Sequence, residues 1–113
     1  MKKIALIALV LASFSASAAS VDNGRELATK KYACVSCHGE GMNKPIDPSY
    51  PKLAGQYADY VAAALKAYQR TGGNLVGRGN AIMAAQAKPL SGKEIADIAA
   101  YIGSLQGELV NKR

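Results

Sequence analysis

The chain has 113 residues, with 14 basic and 8 acidic side chains and a formal charge of +6. The cations are scattered and form no long basic run, which argues against a nucleic-acid partner. There is no Trp and a single Phe, so a domain of this size built from alanine-rich helices stands near the limit at which a core alone suffices, and a large apolar prosthetic group would complete it.

Residues 1–18 read as a secretory leader: Lys2 and Lys3, the apolar run Ile4 to Ala12, then the small-residue stretch SFSASA. The apolar run is nine residues, short of the roughly 20 that cross a bilayer as a helix, which disfavours an uncleaved anchor. Ala16-Ser17-Ala18 predicts cleavage after Ala18, with cleavage after Ala19 the alternative. Neither point has a cysteine nearby to carry a lipid. Loss of Lys2 and Lys3 leaves 12 basic against 8 acidic side chains, a charge of +4. The expectation is an exported, periplasmic, single-domain protein over residues 19–113, with a mildly basic surface suited to steering an acidic partner or an anionic membrane surface, or simply solvated.

A first helix is predicted within VDNGRELATKKYACVSCHG, with Asn23 as N-cap and Glu26 completing a capping box. Gly24, Leu27 and Ala28 form a narrow apolar face, and Gly24 suggests that another helix comes close there. The run CVSCH, residues 34 to 38, follows and holds both cysteines and the only histidine of the chain. A disulfide across so short a loop would constrain the unfolded chain little. A thioredoxin-like pair needs a βαβ setting that is absent, and structural zinc normally takes four Cys or His ligands where three are available. Cys-x-x-Cys-His is the specific pattern of covalent haem attachment: Cys34 and Cys37 add to the two vinyl groups, and His38 is held beneath the iron as an axial ligand.

The stretch GEGMNKPIDPSYPKLAG reads as a long loop, and Tyr57, Tyr60, Val61, Ala64, Leu65 and Tyr68 recur at helical spacing to define a second helix stopped by Gly72-Gly73. A second long loop, residues 72–90, follows; its glycines lack the Lys-Ser/Thr ending and preceding strand of a phosphate loop. A third helix starts at Ser91, with Ser91-x-x-Glu94 as capping box and Ile95, Ile98, Ala99, Ile102 and Leu105 on one side, and ends near Gly107. No alternating strand pattern occurs, so the fold class is all-α with two long loops of the kind that wrap a functional site. With no second histidine, and with Met1 in the leader, Met42 and Met83 are the thioether candidates for the far side of an iron. Met42 is tied to the His38 side by its closeness in sequence; Met83, 45 residues beyond His38, is free to approach from the other face and is the favoured ligand.

Gly24 ahead of CVSCHG, YPKLAGQ at 50–56, GNAIMAAQAKPLS at 79–91 and EIADIAAYIGSL at 94–105 together resemble the small class I cytochromes c of bacteria, in particular the monohaem cytochrome c553 and c4-like group. The resemblance runs from about Gly24 to Leu105. It implies the cytochrome c fold, with first and last helices crossing near Gly24 and Tyr101, a middle helix, and long loops enclosing one haem c. It also places the Pro51 carbonyl against the ring N–H of His38 and sets Tyr57 and Arg78 near the haem propionates. Ala84 and Ala85 stand where many class I cytochromes carry a proline. A single CxxCH without internal repeat matches the one-haem form.

A His38/Met83-ligated iron has no vacancy, so the expected function is a soluble, monomeric electron carrier and not an enzyme. Lys44, Lys52 and Lys88 are the candidates to steer acidic redox partners. The alternatives are an electron-transfer subunit of a larger respiratory complex and a haem-based gas-binding protein.

Overall fold

The computed structural model describes residues 18–70 and 77–108. The predicted leader up to Ser17 and the predicted Gly72-Gly73 helix stop lie outside the described residues. Five short helices carry the described chain: α1 (Val21–Glu26), α2 (Val35–His38), α3 (Ala58–Gln69), α4 (Ala81–Ala87) and α5 (Gly92–Ser104). A π-helical turn, Leu27–Lys31, extends α1, and a 3₁₀ turn, Glu40–Met42, follows α2. No strand occurs among the described residues, as the absence of alternating patterns predicts. Nor is any of these helices long and apolar enough to cross a membrane.

Helix α5 is the centre of the fold. Ser91 Oγ accepts the Glu94 N–H at 3.1 Å while Glu94 Oε1 accepts the Ser91 N–H at 3.1 Å, the expected capping box. Ile95, Ile98, Ala99 and Ile102 then recur on one face and are buried. Full burial of each isoleucine contributes about 1.5–3 kcal/mol. The helix ends at Ser104, three residues ahead of the predicted Gly107, with Leu105 already extended.

Helix α1 crosses α5 at Gly24, where an added Cβ would overlap the Asp97 carbonyl and press on Tyr101 Cβ. Only glycine permits that approach. Leu27, Ala28 and Tyr101 are buried around the crossing. The cap of α1 differs from the sequence reading. Ser20, not Asn23, is the N-cap: its Oγ accepts the Asn23 N–H at 3.1 Å. The Asn23 side chain is drawn instead to Asp97, donating to Oδ2 at 2.7 Å. A tertiary carboxylate outcompetes the local cap for that amide, and this partner 74 residues away leaves no local trace.

Helix α3 packs on α5 through Val61, with Leu65 and Tyr68 half-buried against the same cluster. Tyr57, expected inside this helix, is its N-cap and is 56% exposed. Helix α4 was not anticipated, since AIMAAQA lies within the predicted second loop. Its seven residues are too few for a helical period to show, and its start rests on one bond, Asn80 Oδ1 accepting the Met83 N–H at 3.0 Å. Gln69 at the end of α3 donates to the carbonyls of Ala87 and Leu90 at 2.9 and 2.8 Å, fastening the end of α4 to α3.

Candidate functional site

CVSCH becomes a single helical turn because its surroundings force the chain to bend at both ends. Ala33 enters it with φ of 49°, a left-handed conformation uncommon outside glycine. Gly39 leaves it with φ of 81°, in space where a Cβ would overlap the Lys44 carbonyl. The His38 N–H donates to the Cys34 carbonyl at 3.1 Å and the Ile46 N–H to the Cys37 carbonyl at 3.0 Å, so the loop that follows folds back over the turn. Cys34 and Cys37 are unpaired thiols. Burial pushes the Cys34 thiol above its ordinary pKa.

These residues face a cavity of about 540 Å³. Cys37 and His38 line it from α2 and Cys34 from the N-cap of that helix, Pro51 and Leu53 from the loop, Val61, Leu65 and Tyr68 from α3, Met83 from α4, and Ile98 and Ile102 from α5. Its size and apolar walls are those of a site for a large apolar ligand. His38 is buried, at 5% exposure, and its Nδ1 lies 2.8 Å from the Pro51 carbonyl oxygen. A carbonyl can only accept, so Nδ1 carries the proton and Nε2 is the nitrogen available to a metal. Among the described residues no group of three or more His, Cys, Asp or Glu side chains is placed to hold a metal ion.

Both methionines touch the cavity, in different ways. Met42 is 1% exposed and part of the hydrophobic core, and its carbonyl accepts the N–H groups of Leu53 and Ala54 at 2.8 and 3.0 Å. Met83 is half-buried on α4. Arg78 also lines the cavity, donating to the Tyr60 hydroxyl at 2.8 Å with its guanidinium 5.5 Å from the ring centres of both Tyr60 and Tyr68. Tyr57 is not among the lining residues; Tyr60, three positions on, stands there. Sequence reasoning missed Tyr60, Tyr68 and Asn80. The eight-residue separation of the two tyrosines, which puts them on one helix face, and an Asn three residues before Met83 were the available signals.

The sequence model described as "Cytochrome c" matches residues 21–106. The chain belongs to the cytochrome c family. Its cofactor is therefore covalent haem c, the group for which the CVSCH turn and the apolar cavity are suited, and the family's business is electron transport. Among curated cytochromes, cytochrome c-554(548) of Halomonas halodenitrificans is 46% identical over 74 residues, covering 63% of this chain and 82% of the relative. Cytochrome c4 of Azotobacter vinelandii is 44% identical over 82 residues, covering 73% of this chain but 39% of the relative. The crystal structure of reduced recombinant cytochrome c4 from Pseudomonas stutzeri superimposes with a TM-score of 0.66 at 29% identity, over 81% of this chain and 48% of that one. The chain thus spans less than half the length of these cytochromes c4.

Proposed function

We propose that this cytochrome is a soluble periplasmic one-electron carrier, not an enzyme, whose haem is bonded to Cys34 and Cys37 and whose iron is ligated by His38 Nε2 and the Met83 sulfur. The observation that carries the reading is the meeting of CVSCH and Met83 on one apolar cavity, with His38 held in the metal-binding tautomer by Pro51. The haem supplies reversible one-electron exchange. The chain's own residues do the rest. Pro51 orients His38, Asn80 fixes the backbone of Met83, and the α3 and α5 side chains exclude water from the ring. A thioether as second ligand raises the reduction potential.

Arg78, held against Tyr60 and Tyr68, is the cation for the haem propionates, with Tyr60 taking the part that the family resemblance gave to Tyr57. For partner steering, Lys44 and Lys88 are exposed and have no ion pair among the described residues, whereas Lys52 is engaged with Glu108 at 2.6 Å. Lys44 and Lys88 are therefore the steering cations toward an acidic redox partner. The leader, ending at Ala18 or Ala19, delivers the chain to the periplasm.

Absorption spectra of the exported protein in both oxidation states test this reading. Haem c bands with a thioether-to-iron absorption in the ferric form, and slow binding of carbon monoxide to the ferrous form, are expected. A colourless protein, or rapid carbon monoxide binding at neutral pH, refutes it.

A further inference from the structure

Asp97 has no exposed surface, and three donors meet its carboxylate. The Ser20 N–H reaches Oδ1 at 2.7 Å, while Asn23 Nδ2 and Lys93 Nζ reach Oδ2, each at 2.7 Å. The two oxygens are served unequally. Oδ2 has a cation, although the Lys93 side chain is 61% exposed; Oδ1 has only a neutral backbone amide. The other charges near this crossing are spoken for, since Asp22 and Arg25 face each other at 3.8 Å. Tyr101 packs beneath Gly24.

The hydrogen bonds of the described chain begin at Ser20. Its Oγ accepts the Asn23 N–H and its carbonyl accepts the Gly24 N–H at 2.9 Å. Ala18 and Ala19 are exposed and make no hydrogen bond among the described residues. Nothing in α1 needs a residue ahead of Ser20. A carboxylate is held more strongly by a cationic donor than by a neutral one at the same distance, by roughly a factor of two.

We propose that Asp97 is the acceptor for the amino terminus released by leader removal, and that the bond cut is Ala19–Ser20. This rests on the export reading and resolves the choice between its two cleavage points. A leader-removing peptidase adds water across that bond. The hydroxyl goes to the Ala19 carbonyl carbon and the hydrogen to the Ser20 nitrogen, and a further proton from solvent makes the ammonium near neutral pH. The amide-to-carboxylate bond thereby becomes an ion pair. Maturation then fastens α1 to α5 at the Gly24 crossing more tightly than in the precursor.

Intact mass and N-terminal sequencing of the exported holoprotein come first. A chain starting at Ser20 is expected. A chain starting at Ala19 overturns the proposal and leaves the export reading standing, whereas an unprocessed chain starting at Met1 overturns both. The second measurement is the pH dependence of α-amine acylation and of unfolding. Paired with Asp97, the amine titrates above its ordinary value of roughly 8. Its contribution is complete below that pH and is lost as pH rises through the folded value. Acylation near pH 7 is expected about tenfold slower than in Asp97→Asn, the change that one unit of pKa produces. A chain with one extra alanine ahead of Ser20 leaves Asp97 intact, should Asp97→Asn fail to fold, and is expected to lose the same alkaline dependence. A Ser20-initiated protein whose amine reacts and titrates like a free terminus overturns the proposal.

Discussion

His38 Nδ1 stands 2.8 Å from the Pro51 carbonyl oxygen, joining the only imidazole of the chain to a proline 13 residues later. The bond fixes both the tautomer and the plane of the ring before any metal chemistry begins. Proline holds that carbonyl in place through its restricted φ. Pro51→Gly keeps the carbonyl but frees the backbone. The Nδ1 proton of the reduced, diamagnetic holoprotein is expected to exchange slowly with solvent in the parent and at least about tenfold faster in the variant, the effect of about 1.4 kcal/mol in the opening equilibrium. Equal exchange rates would show that the bond is not what orients the ring.

The two methionines make opposite predictions. Met83→Ala removes the proposed ligand from a half-buried site: the thioether-to-iron absorption is expected to vanish and the potential to fall, with a modest loss of stability. Met42→Ala empties a site that is 1% exposed and is expected to cost about 2–5 kcal/mol while leaving that absorption in place. Denaturant titration and ferric spectra of the two variants decide between them. A lost absorption in Met42→Ala with a normal spectrum in Met83→Ala would reverse the assignment.

What was legible in the sequence was whatever chemistry or periodicity is local. CVSCH carried the haem-attachment pattern in five letters, the α5 capping box needed four, and the isoleucine spacing of α5 showed its buried face. Asn23 and Tyr57 mark the limit. Asn23 has every local attribute of a cap, yet a buried carboxylate on α5 takes its side chain. Tyr57 fits the helical period but stands at the cap, so Tyr60 and Tyr68 hold Arg78 instead. Helix α4 escaped notice because seven alanine-rich residues carry no period, and its stability comes from Asn80 and from Gln69 of α3.

Gly24 is the position where the first and last helices touch backbone to backbone. Gly24→Ala would gain helix propensity of about 1 kcal/mol, but its methyl overlaps the Asp97 carbonyl, which only a shift of α1 can relieve. The clash wins. A net loss of about 1–3 kcal/mol is expected, with the haem spectrum little changed because the crossing contributes no residue to the cavity wall at Gly24. Chemical denaturation of the holoprotein measures the first and absorption the second. A variant as stable as the parent would mean that the helices do not meet this closely.

Two carboxylates of α5 are expected to set the acid limit of the fold. Lys93, with help from the Ser20 N–H and the Asn23 amide, holds Asp97 at about 2, below its ordinary 3.8. Lys31, the Ser91 N–H and the Tyr32 hydroxyl hold Glu94 at about 2, below its ordinary 4.5. Both folded values are depressed, so the unfolded chain binds protons first as pH falls. The stabilisation is therefore complete above about pH 5 and is lost between there and about pH 2, with each group adding at most about 1.4 kcal/mol per pH unit to the slope. Glu94→Gln should weaken the tie between Tyr32, beside the CVSCH turn, and the start of α5. It should also flatten the upper part of the acid limb, and Asp97→Asn the lower part. At neutral pH Asp97→Asn is expected to cost about 2 kcal/mol, the worth of a hydrogen bond to a charged group. Unfolding midpoints at half-unit intervals from pH 6 to pH 2 measure both slopes; parent and variant curves that stay parallel throughout would show that these carboxylates are not what the acid attacks.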